Sequence, residues 1–151
     1  MCNAMIQRSE IRRAAYLARA RSGLLSKDCK VLIIGDRPGP RASADPDFHD
    51  IPFYGDKFSG GYLNRALNDA GIDESELMWM NAYSQSGVPS SPGILADRCW
   101  EHVIVLGNNA ENWIKMQGYS NYTRFVHPQS HRRFNSKEVY PLITFLKTIL
   151  N

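Results

Sequence analysis

The chain has 151 residues, 43% hydrophobic and 22% charged, with 18 Lys+Arg against 15 Asp+Glu and a net charge of +3. That length and balance suit one globular domain over residues 1–151 and exclude a disordered or fibrous chain. No apolar run approaches the roughly 18–20 residues a membrane span needs. The mild basicity permits contact with nucleic acid without demanding it.

Ile11, Ala14, Ala15 and Ala18 recur at helical spacing and predict a leading helix lying against a sheet, with Gly23 as its stop. Arg12, Arg13, Arg19 and Arg21 occupy its remaining faces and are expected to be solvated or near a phosphate. This Arg-rich segment reads as a packed helix rather than a transit peptide. Val31–Ile34 is a short apolar run of the kind buried on both faces of a sheet. It opens directly into Gly35-Asp36-Arg37-Pro38-Gly39. The stretch 41–50 is polar, turn-rich and without period, hence a loop.

Pro52-Phe53-Tyr54-Gly55 and a Gly60-Gly61 pair come next. Leu63, Ala66, Leu67 and Ala70 then mark a second helix closed by Gly71. Leu77–Met80 is a second apolar run, ending on Asn81, and 85–92 is a Ser/Gly/Pro loop. Val103–Leu106 is a third run, ending on Gly107; Asn108 or Asn109 can cap the helix that carries Trp113 and Ile114 and stops at Gly118. Tyr122–Val126 is a fourth run, before His127-Pro128. Leu142, Phe145, Leu146 and Ile149 form the inner face of a terminal helix that Pro141 opens.

This alternation predicts an α/β fold: a three-layer α/β/α sandwich around a short, mainly four-stranded parallel sheet. If the strands are parallel, Gly35-Asp36, Asn81, Gly107-Asn108 and His127 all lie at one carboxyl edge, where open α/β sheets bind ligands. An acid, a carboxamide and an imidazole converging there are suited to reading and cleaving a small planar ligand. No G-x-x-x-x-G-K-[ST] phosphate loop is present, which argues against ATP-dependent chemistry. The three cysteines, Cys2, Cys29 and Cys99, form no C-x-x-C pair and suggest a reducing compartment, the cytoplasm by default.

Taken in order, G-D-x-P-G at Gly35–Gly39, Pro52-Phe53 with its Gly-rich step into a helix, Asn81, V-I-V-L-G at Val103–Gly107 and His127-Pro128 resemble the uracil-DNA glycosylase superfamily. The resemblance is nearest to the prokaryotic thermostable branch and runs from about Val31 to the end of the chain. It implies a monomeric hydrolase that flips a uracil or modified pyrimidine out of DNA, cleaves its N-glycosidic bond and releases the free base. Phe53 would stack on the base beside Gly35, and Asn81 would pair with its O4 and N3–H edge. His127 would stabilise charge on the O2 side, and Asp36 would orient water or support the cationic sugar. Phosphates would be held by the backbone at Pro38–Gly39 and by the Ser130–Arg133 stretch with Arg132 and Arg133.

The chain departs from that pattern in three ways. The branch carries four cysteines for an iron–sulfur cluster; three cannot supply it, so no cluster or other cofactor is expected, and Cys29 and Cys99 read as small buried hydrophobes. Asp36 stands where the branch has Glu, with Arg37 and Ala42 at positions where relatives carry further acids; Asp45, Asp47, His49 and Asp50 are the candidates to replace them. The segment between Asn81 and Val103 is short. The alternatives are a base- or nucleotide-binding protein that lost catalysis, another enzyme on the same scaffold, or a flavodoxin-like protein with a different ligand.

Overall fold

The structure, a computed structural model, describes residues 3–39 and 45–150. Four strands, β1 (Val31–Gly35), β2 (Leu77–Asn81), β3 (His102–Leu106) and β4 (Thr123–Phe125), form one sheet in the order β2-β1-β3-β4. Every pairing is parallel. Among the described residues, five α-helices accompany it: α1 (Asn3–Ser22), α2 (Phe58–Asp69), α3 (Asn108–Met116), α4 (Pro128–Phe134) and α5 (Pro141–Ile149).

Strand alternation divides the core in two. Val31 and Ile33 face a layer built on Leu63 and Leu67 of α2 and Leu142 and Leu146 of α5. Leu32 and Ile34 face the opposite layer, with Ala110, Trp113 and Ile114 of α3 and Ile94 of the 3-10 turn Pro92–Ala96. Because side chains of successive strand residues point to opposite faces, a strand covered on both sides must be apolar throughout. β1 is, and all five of its residues are buried. The expected three-layer α/β architecture is therefore the observed one. Among the described residues, no helix is long and apolar enough to cross a membrane.

The leading helix differs from its expected orientation. Ile11, Ala14 and Ala18 are exposed, while Arg8, Ser9 and Arg12 are buried. The reason lies on the short turn Glu74–Glu76 ahead of β2. Glu74 accepts from Arg8 Nη1 at 2.6 Å, Arg12 Nε at 3.0 Å, Arg12 Nη2 at 2.9 Å and Trp79 Nε1 at 2.8 Å. The Arg12 guanidinium also lies 4.1 Å from the centre of the Trp79 ring. A buried carboxylate with this many donors draws the polar face of α1 inward, so Arg12 is neither solvated nor near a phosphate. Arg19 pairs with Asp97 at 2.6 Å.

Two further local readings change. Gly107 (φ 93), not either asparagine, stands at the N-cap of α3, and neither asparagine caps it. The stretch Ser130–Arg133 lies within α4, which Pro128 opens and which the His127 side chain caps. Cys29 is buried as expected, whereas Cys99 is exposed. Burial pushes the Cys29 thiol up to about 11, against the opposing pull of Arg98.

Candidate active site

The parallel sheet delivers the strand ends to one edge, and a cleft of about 370 Å³ opens there. Asp36, Phe53, Asn81 and His127 all line it, with Pro38 and Gly39 beside them. Volume alone does not distinguish this cleft. A neighbouring cavity of about 370 Å³ shares Pro38 and Asn81 with it, and a more apolar one of about 450 Å³ lies under α1. Its composition does: an acid, an amide, an imidazole, an aromatic ring and the cations Arg37 and Lys57 all line it.

Gly35 makes the close approach possible. A Cβ there would stand 2.9 Å from Phe53 Cε2 and 3.3 Å from Asn81 Oδ1, so a side chain would expel the ring from the end of β1. The Phe53 ring lies 5.8 Å from His127 and 5.8 Å, nearly edge-on, from Trp79. Its backbone has φ 54, a left-handed conformation that bulky residues avoid. The surroundings over-determine it: Arg12 Nη1 donates to Phe53 O at 3.1 Å and Asn64 Nδ2 at 2.8 Å. The buried ion cluster thus buttresses the floor of the cleft.

Asn81 ends β2 opposite Gly35. Its Nδ2 donates to Asp50 O at 3.3 Å, which leaves Oδ1 directed over Gly35. His127 follows β4 and forms the cap of α4, its Nδ1 accepting from Gln129 N at 3.0 Å. Burial holds its pKa below the ordinary 6.5, although the charge of Asp36 pulls the other way. A neutral imidazole that accepts at Nδ1 carries its proton on Nε2. The ring is therefore a neutral donor held by its own helix. Gly107 admits it: a Cβ there would lie 3.0 Å from His127 Cβ.

Asp36 Oδ2 accepts from Asn109 Nδ2 at 3.0 Å. Its Oδ1 is buried and accepts no hydrogen bond among the described residues. Arg37 Nε stands 3.8 Å from that oxygen, on a half-exposed side chain. Asn109, which the sequence reading assigned only to capping, does not line the cleft but holds Asp36 from behind; its place at the β1/β3 junction, where the strand order reverses, was the available signal. Tyr54, Lys57, Phe58 and Gln129 also wall the cleft.

The phosphate contacts divide. Pro38 has no N–H, so only the Gly39 amide can donate there. Ser130, Arg132 and Arg133 are exposed on α4 and do not line the cleft; Arg132 Nη1 meets Gln129 Oε1 at 3.5 Å. None of the acids suggested as substitutes lines it either. Asp45 accepts from Tyr54 Oη at 3.2 Å, the carbonyl of Asp47 accepts from Arg13, and His49 pairs with Asp50, which lines the neighbouring cavity. Ala42 and Cys2 lie outside the described residues, and no group of three or more potential metal ligands occurs among those described. No protein-family model matches the chain, and no curated protein matches it.

Proposed function

We propose that this chain is a uracil-DNA-glycosylase-like hydrolase, which extrudes uracil or a modified pyrimidine from DNA and cleaves its N-glycosidic bond. One observation carries the reading: Asp36, Phe53, Asn81 and His127, drawn from four separate stretches, wall the same cleft at the carboxyl edge of the sheet.

In this reading the extruded base lies against Phe53, and Asn81 pairs with its edge through Oδ1 as acceptor and its remaining amide hydrogen as donor. As the bond between C1′ and the base nitrogen breaks, its electron pair leaves with the base and negative charge collects on the carbonyl oxygen. Nε2–H of His127 donates to that oxygen, a role a neutral imidazole performs without first losing a proton. The unshared Oδ1 of Asp36 orients a water at C1′ and accepts its proton as the new C–O bond forms. Asn109 holds the other carboxylate oxygen, so the lone pairs facing the sugar are fixed in direction.

The experiment is base release from oligonucleotides carrying uracil, hydroxymethyluracil or hypoxanthine, followed by alkaline cleavage of the abasic strand. Breaks that vanish with Asp36→Ala or Asn81→Ala support the reading. If Phe53→Ala alters neither binding nor cleavage, the reading fails. A second reading, base binding without hydrolysis, is favoured by Arg37, whose charge beside Asp36 Oδ1 opposes the cationic sugar. It expects tight binding and no breaks, with breaks appearing in Arg37→Ala if the arginine alone blocks the reaction.

A further inference from the structure

Phe58 is unlike the other aromatic residues of the cleft. Phe53 and Tyr54 are partly buried, whereas Phe58 is 52% exposed. Its backbone also adopts φ 56, so the first residue of α2 is held in a left-handed conformation that costs free energy for any side chain with a Cβ.

The cause is a pair of glycines one turn on. A Cβ at Gly60 would lie 2.5 Å from Tyr54 O, and one at Gly61 would lie 2.3 Å from the carbonyl of Asp56. Their absence lets the segment 53–57 rest directly on α2, where Gly61 N donates to Lys57 O at 2.8 Å. The chain must then reverse sharply to enter the helix, and Phe58 absorbs the reversal. A glycine would do so without strain. A phenylalanine there does not fill the core, because its ring stands open at the rim of the cleft. Strain at a residue that belongs to neither core layer, at the lip of a ligand-sized cleft, points to a contact made by the ring itself. Arg37 and Lys57, both exposed and both cationic, line the same cleft. An open aromatic face flanked by cations is what a strand with unstacked bases requires: stacking for the base and charge for the phosphodiester.

We infer that Phe58 is the stacking platform for the base adjacent to the one held in the cleft, so that the ligand is a polynucleotide opened at that point rather than a free nucleoside or nucleotide. This inference rests on the base-reading function proposed above.

The test is fluorescence anisotropy with the full chain and a labelled six-nucleotide single strand bearing a central uracil. A companion strand has the same backbone, but the two nucleotides flanking uracil carry no base. Phe58→Ala is expected to weaken binding to the first strand about tenfold and to leave the second unchanged, while Phe58→Trp keeps both. Phe58→Gly is expected to bind like Phe58→Ala and yet melt higher, since it relieves the backbone. Deoxyuridine monophosphate, lacking a neighbour, is expected to bind wild type and Phe58→Ala alike. Equal affinity of wild type and Phe58→Ala for the first strand overturns the inference. If Asn81→Ala still abolishes discrimination of uracil from cytosine in that case, the base-reading function stands without it. Absence of binding to every strand overturns both.

Discussion

Two acids in this protein occupy opposite circumstances. Glu74 is 5% exposed and accepts from both Arg8 and Arg12 and from the Trp79 indole, so both its oxygens are engaged. Asp36 has one oxygen held by Asn109 and the other buried without a hydrogen bond among the described residues. A buried carboxylate with every lone pair occupied has nothing left to offer a ligand; it organises the scaffold. One left half-satisfied at a cleft is poor design for stability and good design for chemistry. Charge and burial alone do not separate scaffold from site. What differs between these two acids is the hydrogen-bond occupancy of their oxygens.

Substitution at the two acids separates the contrast most widely. Asp36→Asn keeps the shape and the contact to α3 but removes the base, so base release should fall by about 10²–10⁴-fold. Stability should move by less than about 1 kcal/mol in urea denaturation. Glu74→Ala should do the reverse. It strands two guanidinium groups in the interior, at a cost of about 3–5 kcal/mol in the same denaturation experiment. An Asp36→Asn chain as unstable as Glu74→Ala would erase the distinction.

The acid cluster gives a second handle. Burial alone would raise the Glu74 carboxyl, but Arg12 and Arg8 together hold it below the ordinary 4.5. A depressed carboxyl stabilises the fold above its unfolded-state pKa and loses that contribution as pH falls through the folded value. Chemical denaturation followed from pH 6 downward should therefore show stability draining below about pH 4.5 in wild type. Lys substitution of Arg8 should narrow that loss, because a lysine supplies fewer donors to the same carboxylate.

Much of this arrangement is legible in the sequence, and the parts that are not have identifiable reasons. The strand runs are visible because a strand covered on both faces has no choice but to be apolar; Val31–Ile34 and Val103–Leu106 fall where the reading puts them. The glycine stops at Gly23, Gly71 and Gly118 all have φ near +70, as their positions predict. The leading helix misleads because its apolar residues set the visible period, while the partner that turns Arg8 and Arg12 inward lies far along the chain at Glu74. Helix α4, P-Q-S-H-R-R-F, has seven residues and no apolar stripe, so nothing local announces it. Asn109 escapes notice because its partner, Asp36, belongs to another strand end.

The glycine pair sharpens the comparison at a smaller scale. Gly61→Ala places a Cβ against the Asp56 carbonyl and should cost about 1–3 kcal/mol, read as a lowered urea midpoint. Its effect on base release should follow stability, since Gly61 offers nothing to a ligand. A large loss of activity in a chain that remains fully folded would mean the 53–57 segment is more finely placed than its packing implies.

The smallest expected effect concerns His127. Its folded pKa lies below 6.5, with burial as the main cause. The imidazole therefore resists protonation in the native state, and stability begins to fall once the pH drops below about 6.5, ending when the folded value is passed. His127→Gln should flatten that limb and, because it removes the cap of α4, lower stability by about 1 kcal/mol at pH 8. Base release should decline over the same interval, because protonation places a hydrogen on Nδ1 and ends its acceptance from Gln129 N, which holds the ring in place.

The strand order β2-β1-β3-β4 has a kinetic corollary. The central strand is made first by the ribosome, but its two neighbours begin only at Leu77 and His102, and the imidazole arrives later still. Pairings this distant along the chain close slowly and offer little reward until several are in place. A growing or truncated polypeptide accordingly cannot close the cleft before His127 has been made, because Asp36, Asn81 and His127 reach it from three separate strand ends.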